Sequence, residues 1–165
     1  MEKDLYTALK AKIQADLPAI KTVGLYNNQF AMLLDKEPKE RPFLFPAVFI
    51  EFSYPYPFKD MLRGVQEFQF IVTTHLGFES YKDQDEQILQ IKQDLFSVVQ
   101  HFQHGYFTKF IRVAQRQDFN HNNTQVYETD YLVGGKDFTA DNRPTTEALL
   151  TLALTGSTIA SGITF

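Results

Sequence analysis

Residues 65–78 read VQEFQFIVTTHLGF and alternate apolar with polar side chains along most of their length. Successive side chains of an extended chain point to opposite faces, so this pattern predicts a β-strand. At about 3.3 Å per residue the strand is roughly 45 Å long, and strands of that length often extend past their own core and pair with a neighbour. One face carries Phe68, Phe70, Val72, Thr74 and Leu76, and the other carries Glu67, Gln69, Ile71, Thr73 and His75.

Strands are also predicted on both sides of this segment. Residues 47–54 (AVFIEFSY) form an apolar run in which Glu51 is the one acidic residue. Downstream, residues 107–119 and 124–133 are predicted as two further strands. The Asn-rich residues 120–123 between them predict a hairpin turn, because Asn tolerates positive φ.

The chain before residue 47 is less regular. Residues 20–26 predict a short strand. Residues 29–46 contain Pro38, Pro42 and Pro46, and they predict a long loop with room for one helical turn. A loop of this length in a small domain is often functional.

Two helices are predicted from apolar stripes at helical spacing. The first carries Leu5, Leu9, Ile13 and Leu17 and is ended by Pro18. The second spans residues 85–104, with Gly105 as its stop. Its stripe consists of Ile88, Ile91, Leu95, Val98, Val99 and Phe102.

The element order α-β-β-β-α-β-β predicts an α+β fold, a mainly antiparallel sheet with both helices packed on one face. Residues 1–137 are predicted to form this single domain. Residues 138–165 are predicted to be an extended C-terminal tail, with a possible short helix at 146–154. The tail is rich in Thr, Ser and Gly and poor in charge, unlike most disordered linkers, so we expect it to order against its own domain or a partner subunit.

Composition excludes several function classes. The 165 residues carry a formal net charge of −4 without any cluster of Lys and Arg, which argues against a surface that grips nucleic acid. The chain has no cysteine, so disulfides, thiolate metal sites and thiol nucleophiles are excluded. The N-terminus lacks the apolar run of a signal peptide, and no run is long enough to cross a bilayer. These features predict a soluble cytoplasmic protein.

Candidate metal sites are weak. His101 and His104 are spaced i, i+3 near the end of the second predicted helix, which can place two imidazoles on one metal, but the helix dipole alone also favours histidine there. The sequence Asp118-x-Asn120-x-Asn122 resembles half of a calcium loop, and it lacks the Gly and the bidentate Glu that such a loop needs. We therefore predict no metal and no cofactor.

No catalytic constellation is evident. The sequence contains no Gly-x-Ser-x-Gly elbow, and Gly134-Gly135-Lys136 follows a predicted strand without the remaining residues of a phosphate loop. Glu128 and Asp130 share one face of a strand, which allows an acid–base pair but is more typical of a solvated or intersubunit face. We predict that the chain is not an enzyme.

An unusual aromatic content, 16 Phe and 8 Tyr, points to packing or to an interface. The aromatic residues between 43 and 58 lack the interleaved basic residues that base stacking needs, so core packing or a protein–protein interface is the better interpretation. The candidate interface residues are Phe43, Phe45, Tyr54, Tyr56, Phe58, Glu128, Asp130, Leu150 and Leu152.

The pattern resembles the tail terminator and tail completion proteins of long-tailed phages and related tail-like particles. The segments that carry the resemblance are residues 5–17, 46–51 (PAVFIE), 65–78, 85–104 and 107–133. The Pro-rich segment before Pro46 and the tail after Asp137 depart from that pattern.

The resemblance implies a structural virion protein in the tail–neck region, assembled in the host cytoplasm. Such a subunit forms a homo-oligomeric ring, commonly a hexamer, that caps the tail tube and joins it to neck or connector proteins. DNA would pass through the channel without sequence-specific binding, and no membrane is involved. The alternatives are another head–tail connector, neck or baseplate subunit, a ligand-binding α+β domain, or a metal-dependent enzyme using His101 and His104.

Overall fold

The computed structural model describes residues 2–33, 42–61, 64–79, 85–118 and 124–138. Within these ranges, two α-helices and six strands form one sheet-based unit, which confirms the predicted α+β class. In chain order the elements are α1 (Glu2–Asp16), β1 (Thr22–Leu25), a short 3-10 helix (Ala31–Leu33), β2 (Ala47–Ser53), β3 (Lys59–Asp60), β4 (Gln66–Glu79), α2 (Asp85–Val99), β5 (Ile111–Asp118) and β6 (Thr124–Asp137).

The strands form a single sheet in the order β1-β2-β4-β6-β5, and β3 pairs with β4 beyond the end of β2. Only β1 and β2 run parallel; the other pairs are antiparallel. The long predicted strand is confirmed as β4, and β6 pairs with it from Gln66–Asp137 to Glu79–Thr124. β4 extends beyond β2, which pairs with residues 71–77, and β6 accompanies it along its whole length.

Both helices pack on one face of the sheet, as predicted. Their apolar stripes meet the even-numbered residues of β4 and the odd-numbered residues of β6 in one buried cluster. Each large apolar side chain in such a core stabilises the fold by roughly 1.5–3 kcal/mol relative to an exposed position. The members with no exposed surface include Leu5, Leu9, Ile13, Val48, Ile50, Phe70, Val72, Phe78, Val99, Phe110 and Val133.

A second, smaller apolar cluster covers one end of the opposite face, which is called here the helix-free face. Phe30, at the start of the single helical turn expected between residues 29 and 46, packs there against Phe49 with ring centroids 5.2 Å apart. Gly77 makes this contact possible, because a Cβ at that position would lie 2.3 Å from Cε1 of Phe30. The alternation of the sequence alone indicates a polar face for the odd-numbered residues of β4. In the structure, one end of that face is instead covered by this apolar cluster.

Several predicted boundaries are wrong. The second helix ends at Val99 and not at residue 104, since His101 takes a left-handed conformation (φ 64°) and the chain turns back. Phe102 then packs edge-on against Phe110, with ring centroids 5.5 Å apart. The strand expected from residue 107 begins at Ile111, and Phe107 forms only an isolated bridge to Gly135.

The final strand is longer than expected. It continues past residue 133 to Asp137, so Gly134-Gly135-Lys136 lies inside β6 and does not follow a strand. A Cβ on Gly135 would lie 2.9 Å from Cζ of Phe68, which explains why glycine stands there. The two-residue β3 was not predicted. The hairpin turn expected at 120–123 and the tail after Phe138 lie outside the described residues.

Neither described helix is long and apolar enough to span a membrane.

Candidate interaction surface

The outermost strand on the β6 side of the described sheet is β5, and it is exposed on both faces. Residues 111–116 are all exposed, including the aliphatic side chains of Ile111 (44%) and Val113 (53%). Its register with β6 is interrupted between Arg112 and Ala114, so Val113 stands in a β-bulge. An open sheet edge of this kind presents backbone N–H and C=O groups to whatever comes next to it.

The two arginines of β5 lie over the faces of the sheet. The guanidinium carbon of Arg112 lies 3.9 Å from the centre of the Phe96 ring on the helix side. On the helix-free face, Arg116 places Nε 2.5 Å from Glu128 and Nη1 2.6 Å from Asp130. The positive charges of this edge are thus used within the subunit.

A polar cluster occupies the middle of the helix-free face, with His75 at its centre. The imidazole is 3% exposed, its Nε2 lies 2.8 Å from Oε2 of Glu51, and its Nδ1 lies 3.1 Å from Oε1 of Glu128. The second contact has the distance of an ion pair without the alignment of a hydrogen bond. Tyr26 covers the imidazole, with ring centroids 3.7 Å apart and ring planes within 6°.

Arg116 and Thr73 complete the cluster. The Thr73 hydroxyl donates to Oδ1 of Asp130 at 2.7 Å, while Arg116 binds the other oxygen of the same carboxylate. The hydrogen bond that Arg116 donates to the Asp130 carboxylate is the main reason that the pKa of Arg116 is raised. Burial, followed by the nearby charges of Glu128 and Glu51, raises the pKa of Tyr26. The cluster therefore joins four strands, β2, β4, β6 and β5, through contacts between acidic and basic side chains.

The predicted interface residues Glu128 and Asp130 lie in this cluster. Both carboxylates are largely shielded, with side chains 13% and 16% exposed, and both are paired with Arg116. They lie on one face of β6, as the sequence indicates. Their partners come from β4 and β5 of the same subunit, so their described role is within the sheet.

The predicted aromatic residues fall into two separate groups. Phe43 and Phe45 are partly buried in the cluster around Phe30, with their own ring centroids 5.3 Å apart. Tyr54 stacks on Phe70 at 5.3 Å, and its hydroxyl donates to Oε1 of Glu2. Burial and this hydrogen bond raise the pKa of Tyr54.

The remaining aromatic candidates are the more exposed ones. Tyr56 and Phe58 are 44% and 50% exposed, and they line a shallow groove of about 530 Å³ together with Phe68 and Gln69. The candidates Leu150 and Leu152 lie outside the described residues. The structure thus places seven of the nine predicted residues, at three separate locations.

His101 and His104 do not share a helix face, because α2 ends before both of them. The backbone N–H of His101 donates to the carbonyl of Phe110 at 2.9 Å, and the carbonyl of His104 accepts from Phe107 at 3.1 Å. Both residues thus shape the connection into β5. Within the described ranges, no group of three or more His, Asp or Glu side chains is arranged to hold a metal ion. The calcium-like Asn120 and Asn122 lie outside those ranges.

No protein-family model matches the chain, and a search of curated proteins finds no significant relative.

Sequence reasoning missed the residues that organise this surface: Tyr26, Glu51, His75, Arg116 and the exposed edge of β5. Glu51 and His75 each interrupt an otherwise apolar strand, and a buried polar group in such a position needs a partner. An acidic residue and a histidine, which can hydrogen-bond to each other, were a usable indication that the two strands are neighbours. The sequence contains no comparable indication that Tyr26 stacks on His75, because that contact depends on the direction in which the chain leaves β1.

Proposed function

We propose that the chain is a structural virion subunit of the tail terminator type. It assembles into a ring, most simply of six copies, that caps a tail tube and joins it to the neck. The observation that carries the proposal is the open edge of β5, which exposes Ile111 and Val113. A sheet edge of this length is normally paired, covered or blunted, since an open edge is a template for another chain.

The arrangement of charge supports a protein partner for this edge. In many monomeric proteins, charged side chains that project from an edge strand prevent association. Here Arg112 and Arg116 are drawn onto the faces of the sheet by Phe96 and by the carboxylates of Glu128 and Asp130. The rest of the strand carries aliphatic side chains at Ile111, Val113 and Ala114 and amide side chains at Gln115 and Gln117, and it ends at Asp118.

The element order supports the same assignment, because apart from the two-residue β3 it is the order of helix, three strands, helix and strand pair on which the resemblance rests. Each copy would contribute two different surfaces to a heterologous contact, and such contacts close into rings when the rotation between copies allows it. A net charge of −4 is compatible with a channel through which DNA slides.

The test is the solution mass, measured by light scattering behind a sizing column, alone and with purified tail-tube protein. We expect either a discrete oligomer, about 115 kDa for six copies of a 19.1 kDa chain, or a monomer that forms rings on tube protein. A chain that stays monomeric and does not bind tail-tube protein contradicts the proposal. The variant Val113→Lys should weaken assembly, while Leu89→Lys on the exposed side of α2 provides the matched control.

The groove beside Tyr56 and Phe58 favours a second candidate, a ligand-binding domain. An apolar groove with a few polar groups at its rim is the usual form of a small-molecule site. Titration with a fluorescent apolar probe, comparing the natural chain with Phe58→Ser, tests this alternative. Saturable binding that the substitution removes supports it, and unchanged or absent binding rejects it.

A further inference from the structure

The ionisable side chains of the helix-free face form a row across four strands of the sheet. From β2 to β5 the row consists of Glu51, His75, Glu128 and Arg116, and Arg116 also binds Asp130. Neighbouring members are 2.8, 3.1, 2.5 and 2.6 Å apart. Histidine is the residue type among them that changes charge near neutral pH. The protonation of His75 therefore decides whether charge alternates along the whole row.

Both ring nitrogens of His75 lie beside a carboxylate oxygen. Nε2 is 2.8 Å from Oε2 of Glu51, and Nδ1 is 3.1 Å from Oε1 of Glu128. Within the described ranges, no group makes an aligned hydrogen bond with Nδ1, which is buried. A neutral imidazole has one N–H and one lone pair, so either tautomer leaves a lone pair next to a carboxylate oxygen. Only the imidazolium ion presents an N–H and a positive charge to both carboxylates.

Burial acts against a charged imidazole, because His75 is 3% exposed and loses its hydration. Two carboxylates in contact with the ring act in the opposite direction, since opposite charges within about 4–6 Å favour the charged form. The face of Tyr26 also favours a cation, since aromatic faces attract positive charge. The ionisable groups described around the ring are mostly acidic, and they come from every strand that borders the cluster: Tyr26, Glu51, Arg116, Asp118, Glu128 and Asp130.

The proton between His75 and Glu128 could instead reside on the carboxyl group. The second oxygen of Glu128 lies 2.5 Å from Nε of Arg116, and a paired guanidinium favours the ionised carboxylate. The Glu51 side chain is 44% exposed, so water solvates its charge. Both carboxylates are therefore better ionised than protonated. The imidazole is the remaining place for the proton.

We propose that His75 is a proton-dependent link in the sheet, which joins Glu51 of β2 to Glu128 of β6 while both ring nitrogens carry a proton. In the folded protein it keeps both protons at pH 7.5, where a histidine in water is about nine-tenths neutral. When one proton leaves, the exposed Glu51 can turn to water, whereas the shielded Glu128 keeps only Arg116. The link therefore weakens as the pH rises, and this inference does not depend on the proposed ring.

Nitrogen NMR of the natural protein, labelled with ¹⁵N in its histidines, tests the proposal directly. The two nitrogens of an imidazolium ring have similar chemical shifts, whereas those of a neutral ring are widely separated. Replacing His101, His104 and His121 by Asn, one at a time, assigns the signals without changing His75. At pH 7.5 we expect an imidazolium spectrum for His75 and neutral spectra for the exposed His101 and His104. A neutral spectrum for His75, in either tautomer, overturns the proposal.

Charge removal then identifies the partner. Glu128→Gln keeps the size of the side chain and should remove most of the imidazolium signal of His75 at pH 7.5. The matched variant Glu86→Gln, exposed at the start of α2, should leave the signal unchanged. An undiminished signal in Glu128→Gln contradicts the link to β6. If that variant does not fold, Glu51→Gln provides the same comparison at a side chain that is already 44% exposed.

The stability of the protein provides a second readout. If the folded chain holds a proton that the unfolded chain has released, unfolding liberates it, and stability must fall as the pH rises. Between pH 7 and 8.5 the folding equilibrium constant from urea unfolding should fall by up to about tenfold per pH unit. In His75→Gln this dependence should be largely lost. Equal pH dependence in the two proteins would show that His75 does not bind the proton on folding. None of these measurements requires an oligomer, so the proposed ring can fail while the link stands.

Discussion

The imidazole of His75 and the phenol ring of Tyr26 are stacked with centroids 3.7 Å apart and planes within 6°. Tyr26 directly follows β1, while His75 lies in the central strand β4, so the contact reaches across β2. It covers the charged cluster from the side of the helix-free face. The cluster therefore lies on four strands, β2, β4, β6 and β5, and the ring of Tyr26 covers the imidazole at its centre.

Replacement of His75 by leucine should destabilise the protein by about 2–3 kcal/mol, because Glu128 then keeps a shielded charge with one partner fewer. The matched variant Glu51→Gln should cost less than about 1 kcal/mol, since the Glu51 side chain is 44% exposed and water can replace the lost contact. Urea unfolding measures both. Equal losses for the two variants would show that the burial of Glu128 does not control the energy of the cluster.

Arg116 should hold β5 against β6 through its two carboxylate contacts. We expect Arg116→Ala to lower the free energy of unfolding by about 1 kcal/mol, since the guanidinium is more than half exposed and its pairs are screened. Arg116→Lys should recover only part of that loss, because an ammonium cannot make both contacts with fork geometry. Amide hydrogen exchange should become faster in β5 and stay unchanged in β4. Unchanged exchange in β5 would contradict this role.

Gly77 is predicted to be intolerant of any side chain. In Gly77→Ala the new methyl group would lie 2.3 Å from Cε1 and 2.5 Å from Cζ of Phe30, so the ring must leave its position. Overpacking of this kind costs roughly 1–3 kcal/mol. Gly134→Ala is the control, because its nearest neighbour is Cγ2 of Thr108 at 3.3 Å and a small shift relieves the contact. Thermal unfolding of both variants checks the prediction, which fails if Gly134→Ala is the more destabilised.

Alkaline stability should depend on Tyr131. Its side chain is 1% exposed, and burial raises its pKa above the ordinary value of about 10. In the unfolded chain this phenol ionises near pH 10, whereas in the fold it keeps its proton to higher pH. The stability it contributes is therefore complete below pH 10 and is lost as the pH rises above that value.

The variant Tyr131→Phe tests this dependence. The free energy of unfolding should fall less steeply between pH 10 and 11 than in the natural protein, by up to about 1.4 kcal/mol per pH unit. The exposed Tyr56→Phe provides the control and should leave the slope unchanged. Identical slopes for all three proteins would exclude a role for Tyr131 in alkaline unfolding.

The fold class and its central elements could be predicted from local patterns. Leu5, Leu9 and Ile13 repeat once per helical turn, and the residues of β4 alternate because one face meets the helices. Such periodicity is imposed by one neighbouring layer. The periodicity is therefore visible in the sequence of any helix or strand that buries one face and exposes the other.

The boundaries and the second apolar cluster could not be predicted in this way. His101 ends α2 with a positive φ that histidine rarely adopts, and the reason is tertiary: the following residue, Phe102, packs on Phe110. Phe30 precedes a short helical turn and Phe49 lies in a strand, and their contact depends on the absence of a side chain at Gly77. From the sequence alone, a glycine in a strand indicates only lower strand stability. The polar cluster likewise consists of residues far apart in the chain that become neighbours only through the sheet order.

The pairing of β4 with β6 has a consequence for how the protein is made. Gln66 and Asp137, the outermost pair, lie about 70 residues apart in sequence, and the whole of α2 and β5 is synthesised between the two strands. At 5–20 residues per second, a ribosome needs roughly 3–12 s to complete β6 after β4 has been made, because 58 residues follow Glu79 up to Asp137. During that interval the apolar central strand has β2 on one side only. Newly made chains at this stage are the ones on which chaperones would act, and crowded synthesis would favour the pairing of one unfinished chain with another.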